Sequence, residues 1–267
     1  MQSGGQIAAA TAGHLVATGR LGRVASLGLF VCALDRPHEG VIGALTTREA
    51  AAAAVAASAA RGYVDGRALA EIFAWLRPND MIWNYWVNNY LLGKDPPAFD
   101  ILYWNQDSIR MAAGLHADMI KVAVENSMRI PGALTVLGTP IDLAAADVPT
   151  YVLAGETDHI VPWENAYRGT QLLGGDARFI LVNSGHIQAL VNPPDPGSRR
   201  KYRVADAVPA SPEAWLAEAA EHNGSWWPDY LRWLEPRSGE LKTKPKSLGS
   251  QEHEPIVDAP GTYVFET

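Results

Sequence analysis

Apolar residues recur at helical spacing from Gln6 to Arg20, where Ile7, Ala10, His14 or Leu15, and Ala17 would share one face. Gly19 and Gly22 follow as stop signals. Val24 to Leu34 (VASLGLFVCAL) is then apolar almost without a break. Such a run predicts a central strand of a parallel sheet, covered on both faces. Glycine turn, helix and buried strand, in that order, point to a doubly wound α/β sheet. Asp35 ends the strand at the edge where ligands bind in such sheets.

From Arg36 to about Asp147 the pattern changes. Thr46 to Arg61 predicts an alanine-rich helix, with Thr46 or Thr47 as its N-cap. Asp65 to Leu76 predicts a second helix, which Pro78-Asn79-Asp80 breaks, and Met81 to Leu91 begins a third. The first strand-like run after Arg36 is Ala133 to Leu137. The stretch reads as a mostly helical insertion, a cap over the sheet. Asp147-Val148-Pro149 restarts the sheet with a strand at Thr150–Ala154. Trp163–Leu173 is then helical, Arg178–Asn183 a strand and Pro212–Ala220 a helix. Beyond Trp233 the composition turns to Pro, Gly, Lys and Glu, as in an extended surface tail. The expected division is therefore 1–35 (turn, helix and strand), 36–147 (cap), 148–235 (the C-terminal part of the sheet and its helices) and 236–267 (tail). There is no internal repeat.

Composition narrows the function. With 267 residues, 48% of them hydrophobic, the chain can bury a sizeable core. A formal net charge of −7 argues against nucleic acid as a partner, because phosphates call for a basic face. Cys32 is the single cysteine, so no intrachain disulfide forms, in keeping with a reducing, cytoplasmic setting. No signal peptide or transmembrane segment is expected: the longest bland run, Ala50 to Ala60, is too short to span a bilayer.

The candidate chemistry is an acid and a base with no evident nucleophile. Asp158, in Gly155-Glu156-Thr157-Asp158-His159, follows one apolar strand, and His186, in Ser184-Gly185-His186, follows the next. In hydrolase-like α/β folds the triad runs nucleophile, acid, histidine along the chain. A carboxylate after a strand can accept the Nδ1–H of a histidine and fix its tautomer. Turn preference alone would make Asp158 an ordinary turn residue. His186 is expected in an exposed, flexible loop, which favours a catalytic role and leaves the two readings near balance. His159 either holds the acid loop or touches substrate. Cys32 lies inside the apolar run and reads as a small buried hydrophobe. Ser3 has Gly4 and Gly5 behind it but lacks the preceding strand that a nucleophile elbow requires. Arg199-Arg200-Lys201-Tyr202-Arg203 is either a solvated loop or a contact for coenzyme A phosphates. The nine tryptophans suggest core, with some lining an apolar tunnel between cap and sheet. No metal site is expected.

Several longer strings carry a resemblance. Leu76-Arg77-Pro78-Asn79-Asp80, Trp83-Asn84-Tyr85, Asn88-Asn89-Tyr90-Leu91 and Phe99-Asp100-Ile101-Leu102-Tyr103-Trp104-Asn105 fall in the predicted cap. Asp158-His159-Ile160-Val161-Pro162-Trp163, Ser184-Gly185-His186-Ile187, Asn192-Pro193-Pro194, Gly224-Ser225-Trp226-Trp227-Pro228 and Ala259-Pro260-Gly261-Thr262-Tyr263-Val264 follow. Together they resemble the polyhydroxyalkanoate synthases over nearly the whole chain. The resemblance implies an α/β-hydrolase fold with a cap. It also implies an acyltransferase that polymerises (R)-3-hydroxyacyl groups from coenzyme A thioesters into polyester, releasing coenzyme A. No cofactor is implied, since the coenzyme A thioester is the substrate. His186 would be the general base and Asp158 its acid, which either orients the histidine or activates the incoming hydroxyl; His159 and Trp163 would touch substrate. A location in the cytoplasm at the surface of polyester granules goes with it.

The departure from the family pattern matters as much. Aligned on Gly4-Gly5, the nucleophilic cysteine of a Gly-x-Cys-x-Gly-Gly box falls on Gln2, and its leading glycine falls before Met1. Glutamine cannot form an acyl-enzyme. Ser3 falls on the residue whose backbone N–H would serve the oxyanion. The chain therefore resembles the C-terminal half of a synthase, without the N-terminal domain and early strands, and is expected to be inactive alone. The strand Val24–Leu34 would then be an unpaired edge, so the chain is expected to be poorly soluble, to dimerise, or to associate with a separate N-terminal half or an intact synthase. Two other readings compete: a granule-binding or dimerising paralogue without activity, and a thioesterase or depolymerase of the same fold. The cap strings favour the synthase over the second; the absent nucleophile favours the first for the chain as it stands.

Overall fold

The computed structural model describes residues 3–36, 47–76, 78–96, 98, 109–195, 197–259, 261–262 and 265. Its centre is a five-stranded mixed sheet in the order β1 (Leu27–Phe30), β6 (Thr150–Gly155), β7 (Ala177–Val182), β8 (Lys201–Val204), β9 (Ala220–Asn223). The pairs β1–β6 and β6–β7 are parallel, whereas β7–β8 and β8–β9 are antiparallel. Two-residue ladders pair β2 (Tyr63–Val64) with β3 (Met111–Ala112) and β4 (Thr135–Val136) with β5 (Thr139–Pro140).

The helices are α1 (Ser3–Ala17), α2 (Arg48–Arg61), α3 (Gly66–Leu76), α4 (Ala113–Glu125), α5 (Trp163–Gly169), α6 (His186–Leu190), α7 (Pro212–Glu218) and α8 (Trp227–Leu234). Local signals bound them. Thr47 Oγ1 accepts from the Ala50 N–H to open α2, and Gly62 closes it at φ 82°. Ser211 Oγ accepts from the Ala214 N–H and Pro212 fills the first turn of α7.

All six residues of β6 are buried, because its side chains alternate between two covered faces. Val152, Ala154, Phe179 and Leu181 face one side, packed with α1, Tyr167 of α5 and Trp215 of α7. Tyr151, Leu153, Ile180 and Val182 face the other, with Ala189 of α6 and Trp226 beside α8. Phe179 and Trp215 meet edge to face at 4.8 Å. Each such fully buried ring contributes roughly 1.5–3 kcal/mol. This two-sided cover is what the apolar runs at Thr150–Ala154 and Arg178–Asn183 predict.

Elsewhere the structure departs from expectation. Helix α1 begins at Ser3 and ends at Ala17, and it buries Gln6, Ala9, Ala12 and Gly13 while Ile7 is 52% exposed. Small residues win the inner face because the helix lies so close: a Cβ at Gly5 would sit 2.5 Å from Cys32 Sγ, and one at Gly13 3.1 Å from Ile141. The run Val24–Leu34 yields only four strand residues, paired with β6 alone and at one edge of the sheet among the described residues. Val31, at φ 46°, turns the chain out of the sheet, an outlying conformation for a β-branched residue. Ala133–Leu137 is a small hairpin rather than a buried strand, and Leu137 at its tip is exposed. The third helix of the middle segment has i→i+5 turns over Asn79–Trp83 and Trp86–Leu91, and Pro78 itself has helical dihedrals. Helix α5 stops at Gly169, four residues short of Leu173.

Candidate active site

Strands β6 and β7 end side by side, and the candidate acid and base follow them. Gly155 closes β6 against the backbone of the next loop; a Cβ there would lie 2.4 Å from the Ser184 carbonyl oxygen. That approach lets the Thr157 N–H donate to the Ser184 carbonyl at 3.2 Å, tying the two loops together. Asp158 then folds back on its own turn: Oδ1 accepts from the N–H groups of Ile160 (2.8 Å) and Val161 (2.9 Å). Its other oxygen, Oδ2, lies 2.6 Å from His186 Nδ1. A carboxylate oxygen accepts, so Nδ1 is the donor in this contact, which in a neutral ring leaves the lone pair on Nε2. The arrangement can hold a neutral imidazole in the tautomer that takes a proton at Nε2.

His186 departs from its expected setting. It is the first residue of α6 and is 4% exposed, not in a flexible loop. The Ser184 N–H turns back onto Val182, and Ala189 already donates to Gly185, so the helix starts at once. The Asp158 side chain has no exposure at all.

Trp163 opens α5, is partly buried and packs against the aromatic core of Tyr167, Phe179 and Trp215, with centroids 6.3–6.5 Å away. His159 is exposed beside Asp158. Ser3 begins α1 and lines a groove of about 360 Å³ with Gln6, Ala10, Leu115 and Val122. Gln2, Trp104 and the string from Phe99 to Asn105 lie outside the described residues. Cys32 is 2% exposed, and burial pushes its thiol up to about 12, with Arg36 pulling only partly the other way. The basic run is only partly a loop: Arg199 and Arg200 precede β8, whereas Lys201, Tyr202 and Arg203 lie on it, Lys201 pairing with Glu221 at 2.6 Å and Arg203 with Glu156 and Glu221 at 3.5 and 3.4 Å. Of the tryptophans, Trp215 and Trp226 are fully buried, whereas Trp83 and Trp86 are about half exposed.

Sequence reasoning passed over a buried cluster near α8. Asp229 accepts from Arg178 through both oxygens (2.8 and 2.6 Å) and from the Tyr151 hydroxyl at 3.0 Å. Burial alone would raise the Asp229 carboxyl, but the bonds and charge of Arg178 outweigh it and hold the group below the ordinary carboxylate range. Only an arginine opening one strand and an aspartate in a tryptophan-rich helix hinted at it. Among the described residues, no group of three acidic, histidine or cysteine side chains could hold a metal ion, and no helix is long and apolar enough to cross a membrane.

The sequence model of the alpha/beta hydrolase fold matches residues 47–193. The chain belongs to the α/β-hydrolase family. Within it, the chain is 48% identical over 264 residues to poly(3-hydroxyalkanoate) polymerase 2 of Ectopseudomonas oleovorans, covering 98% of this chain and 47% of that protein. It is 44% identical to polymerase 1 of the same organism, covering 99% and 47%. It is 41% identical over 247 residues to the PhaC subunit of the poly(3-hydroxyalkanoate) polymerase of Cupriavidus necator, covering 90% and 42%. The chain spans a little under half the length of these relatives. The resemblance stated from the short strings thus holds across nearly the whole of this α/β-hydrolase chain.

Proposed function

We propose that this chain supplies the general base, its acid and the cap of a poly(3-hydroxyalkanoate)-forming acyltransferase. The observation that carries the reading is the 2.6 Å contact between His186 Nδ1 and Asp158 Oδ2, buried where two parallel strands end. The similarity to poly(3-hydroxyalkanoate) polymerases supports this reading, and the substrates we assign to it are (R)-3-hydroxyacyl coenzyme A thioesters.

His186 Nε2 takes the proton of a nucleophilic thiol, and Asp158 holds the imidazolium that forms. The thiolate attacks the thioester carbonyl, and the tetrahedral oxyanion collapses with loss of the coenzyme A thiolate, which receives the proton. A 3-hydroxyl of one acyl group, deprotonated by the same base, then attacks the carbonyl of another acyl thioester; the new ester C–O bond forms as that C–S bond breaks, and the departing thiolate takes the proton back from the imidazolium. The first N–H groups of α1, at Ser3, are donors for the oxyanion. His159, exposed beside the acid, is within the surface that would meet substrate.

The thiol is not assigned within these 267 residues. Gln2 occupies its aligned place, and Cys32 is buried with its thiol held near 12. This reading places the nucleophile on a segment outside these residues, and the flank of β1 that is unpaired among the described residues is where a strand of that segment would pair. The working place is the cytoplasmic surface of the polyester, and the chain by itself is inactive.

Coenzyme A release from (R)-3-hydroxybutyryl coenzyme A by the purified chain tests this. Release equal to that of His186→Ala, at background, is expected. Release that disappears in His186→Ala would put a nucleophile inside the chain and overturn the division of labour.

A further inference from the structure

Helix α6 has five residues, too few to hold its shape unaided. Gly185 before it offers no side-chain cap. His186 is its first residue, so the orientation of the imidazole depends on what grips the helix. At the N-terminal end the grip is Asp158.

At the other end it is the segment Ser225-Trp226-Trp227. The last carbonyls of a helix lack intrahelical donors, and here two of them, with a third carbonyl two residues beyond the helix, are claimed by side chains from this one segment. Trp226 Nε1 donates to the Ala189 carbonyl at 2.7 Å, Trp227 Nε1 to Leu190 at 3.3 Å, and Ser225 Oγ to Asn192. The Ser225 hydroxyl in turn accepts from the Trp227 N–H at 3.2 Å. Trp226 is fully buried, stacked on Trp227 at 4.3 Å and edge-on to Phe30 at 5.3 Å. The next turn is anchored to the sheet through Asp229, Arg178 and Tyr151. A continuous set of bonds thus runs from the sheet through residues 225–229 to the C-terminal end of the helix that begins with His186.

The geometry points to Ser225, Trp226 and Trp227 as positioning residues for His186: they fix α6 so that Nδ1 stays on the Asp158 carboxylate and Nε2 stays aimed at its proton donor. The inference rests on the reading of His186 as the base, but its test needs no substrate. In the chain with ¹⁵N-labelled imidazoles, His186, identified by its loss in His186→Ala, is expected as the Nδ1–H tautomer. Trp226→Phe and Ser225→Ala shift its tautomer ratio about fivefold toward Nε2–H, the effect of one hydrogen bond's restraint. The control is Trp215→Phe. Trp215 is an equally buried indole in the core on the opposite face of the sheet, and its Nε1 makes no hydrogen bond among the described residues. That variant loses stability and keeps the wild-type tautomer.

An unchanged ratio in both clamp variants overturns the proposal, as does an equal shift in Trp215→Phe. So does a wild-type ring that is not Nδ1–H. If Trp226→Phe does not fold, Ser225→Ala decides, since it removes one hydroxyl. A shifted tautomer together with no His186-dependent turnover in any reconstituted enzyme would overturn the acyl-transfer reading and leave the clamp standing.

Discussion

Replacing Gly155 with alanine should break the site and weaken the fold in one step. The new Cβ would lie 2.4 Å from the Ser184 carbonyl oxygen and 3.3 Å from the backbone of Gly185. Ordinary contact begins at 3.4 Å, so the two loops must part by about 1 Å. Backbone atoms on both sides leave no flexible side chain to yield. Overpacking of this kind costs about 1–3 kcal/mol, and the Thr157 bond to Ser184 adds about 1 kcal/mol if it is lost. The total, roughly 2–4 kcal/mol, corresponds to a drop of about 5–15 °C in Tm for a chain of this size. A 1 Å parting would also lengthen the 2.6 Å contact of Asp158 with His186 to about 3.6 Å, beyond hydrogen-bond range. Urea unfolding gives the first number and the His186 ring ¹⁵N shifts the second. Gly114→Ala is the control, since a Cβ there meets nothing within 4 Å; in helix α4 it should stabilise by about 0.5–1 kcal/mol. Gly155→Ala within about 0.5 kcal/mol of wild type, with the Nδ1–H tautomer intact, would refute the close-approach argument.

Other outcomes follow from the buried groups. Asp229 is held below the ordinary carboxylate range in the folded state, so its contribution is fully present above the unfolded value near pH 4 and is lost as pH falls through the folded value. Acid titration of stability should therefore be flatter below about pH 4 in Asp229→Asn than in wild type, while at neutral pH that variant loses about 3–5 kcal/mol by leaving Arg178 unpaired; an unchanged acid limb would contradict the sign. With its thiol pushed up to about 12 by burial, Cys32 should label with a thiol reagent at pH 8 only as fast as the chain unfolds. Rapid labelling of native protein would contradict that.

The sequence carried two of the three parallel strands well, and overextended β1. Apolar runs at 150–154 and 178–183 lie within one residue of β6 and β7, because strands covered on both faces must be apolar throughout. It carried Asp158 and His186 because their loops follow those strands. It did not carry β8 and β9, where Lys201, Arg203 and Glu221 form ion pairs across the ladder and the four residues of β9 are exposed, so neither segment has an apolar signature. Helix α4 was legible in hindsight from Leu115, Met119 and Val122 at helical spacing. The inner face of α1 was misread because alanine and glycine, rather than the larger Ile7, permit its close approach to Cys32 and Ile141. The burial of His186 was invisible because it depends on Asp158 and on indoles far along the chain.

The most direct test of the central claim is coenzyme A release after the chain is mixed with the upstream half of a related polymerase carrying its cysteine. (R)-3-hydroxybutyryl coenzyme A is the substrate, and wild type, His186→Ala and Asp158→Asn are compared. The account predicts release with wild type, release lowered by about 10²–10⁴ in Asp158→Asn, and none above background in His186→Ala. Release that persists in His186→Ala would show that the buried Asp158–His186 pair is not the base of this enzyme.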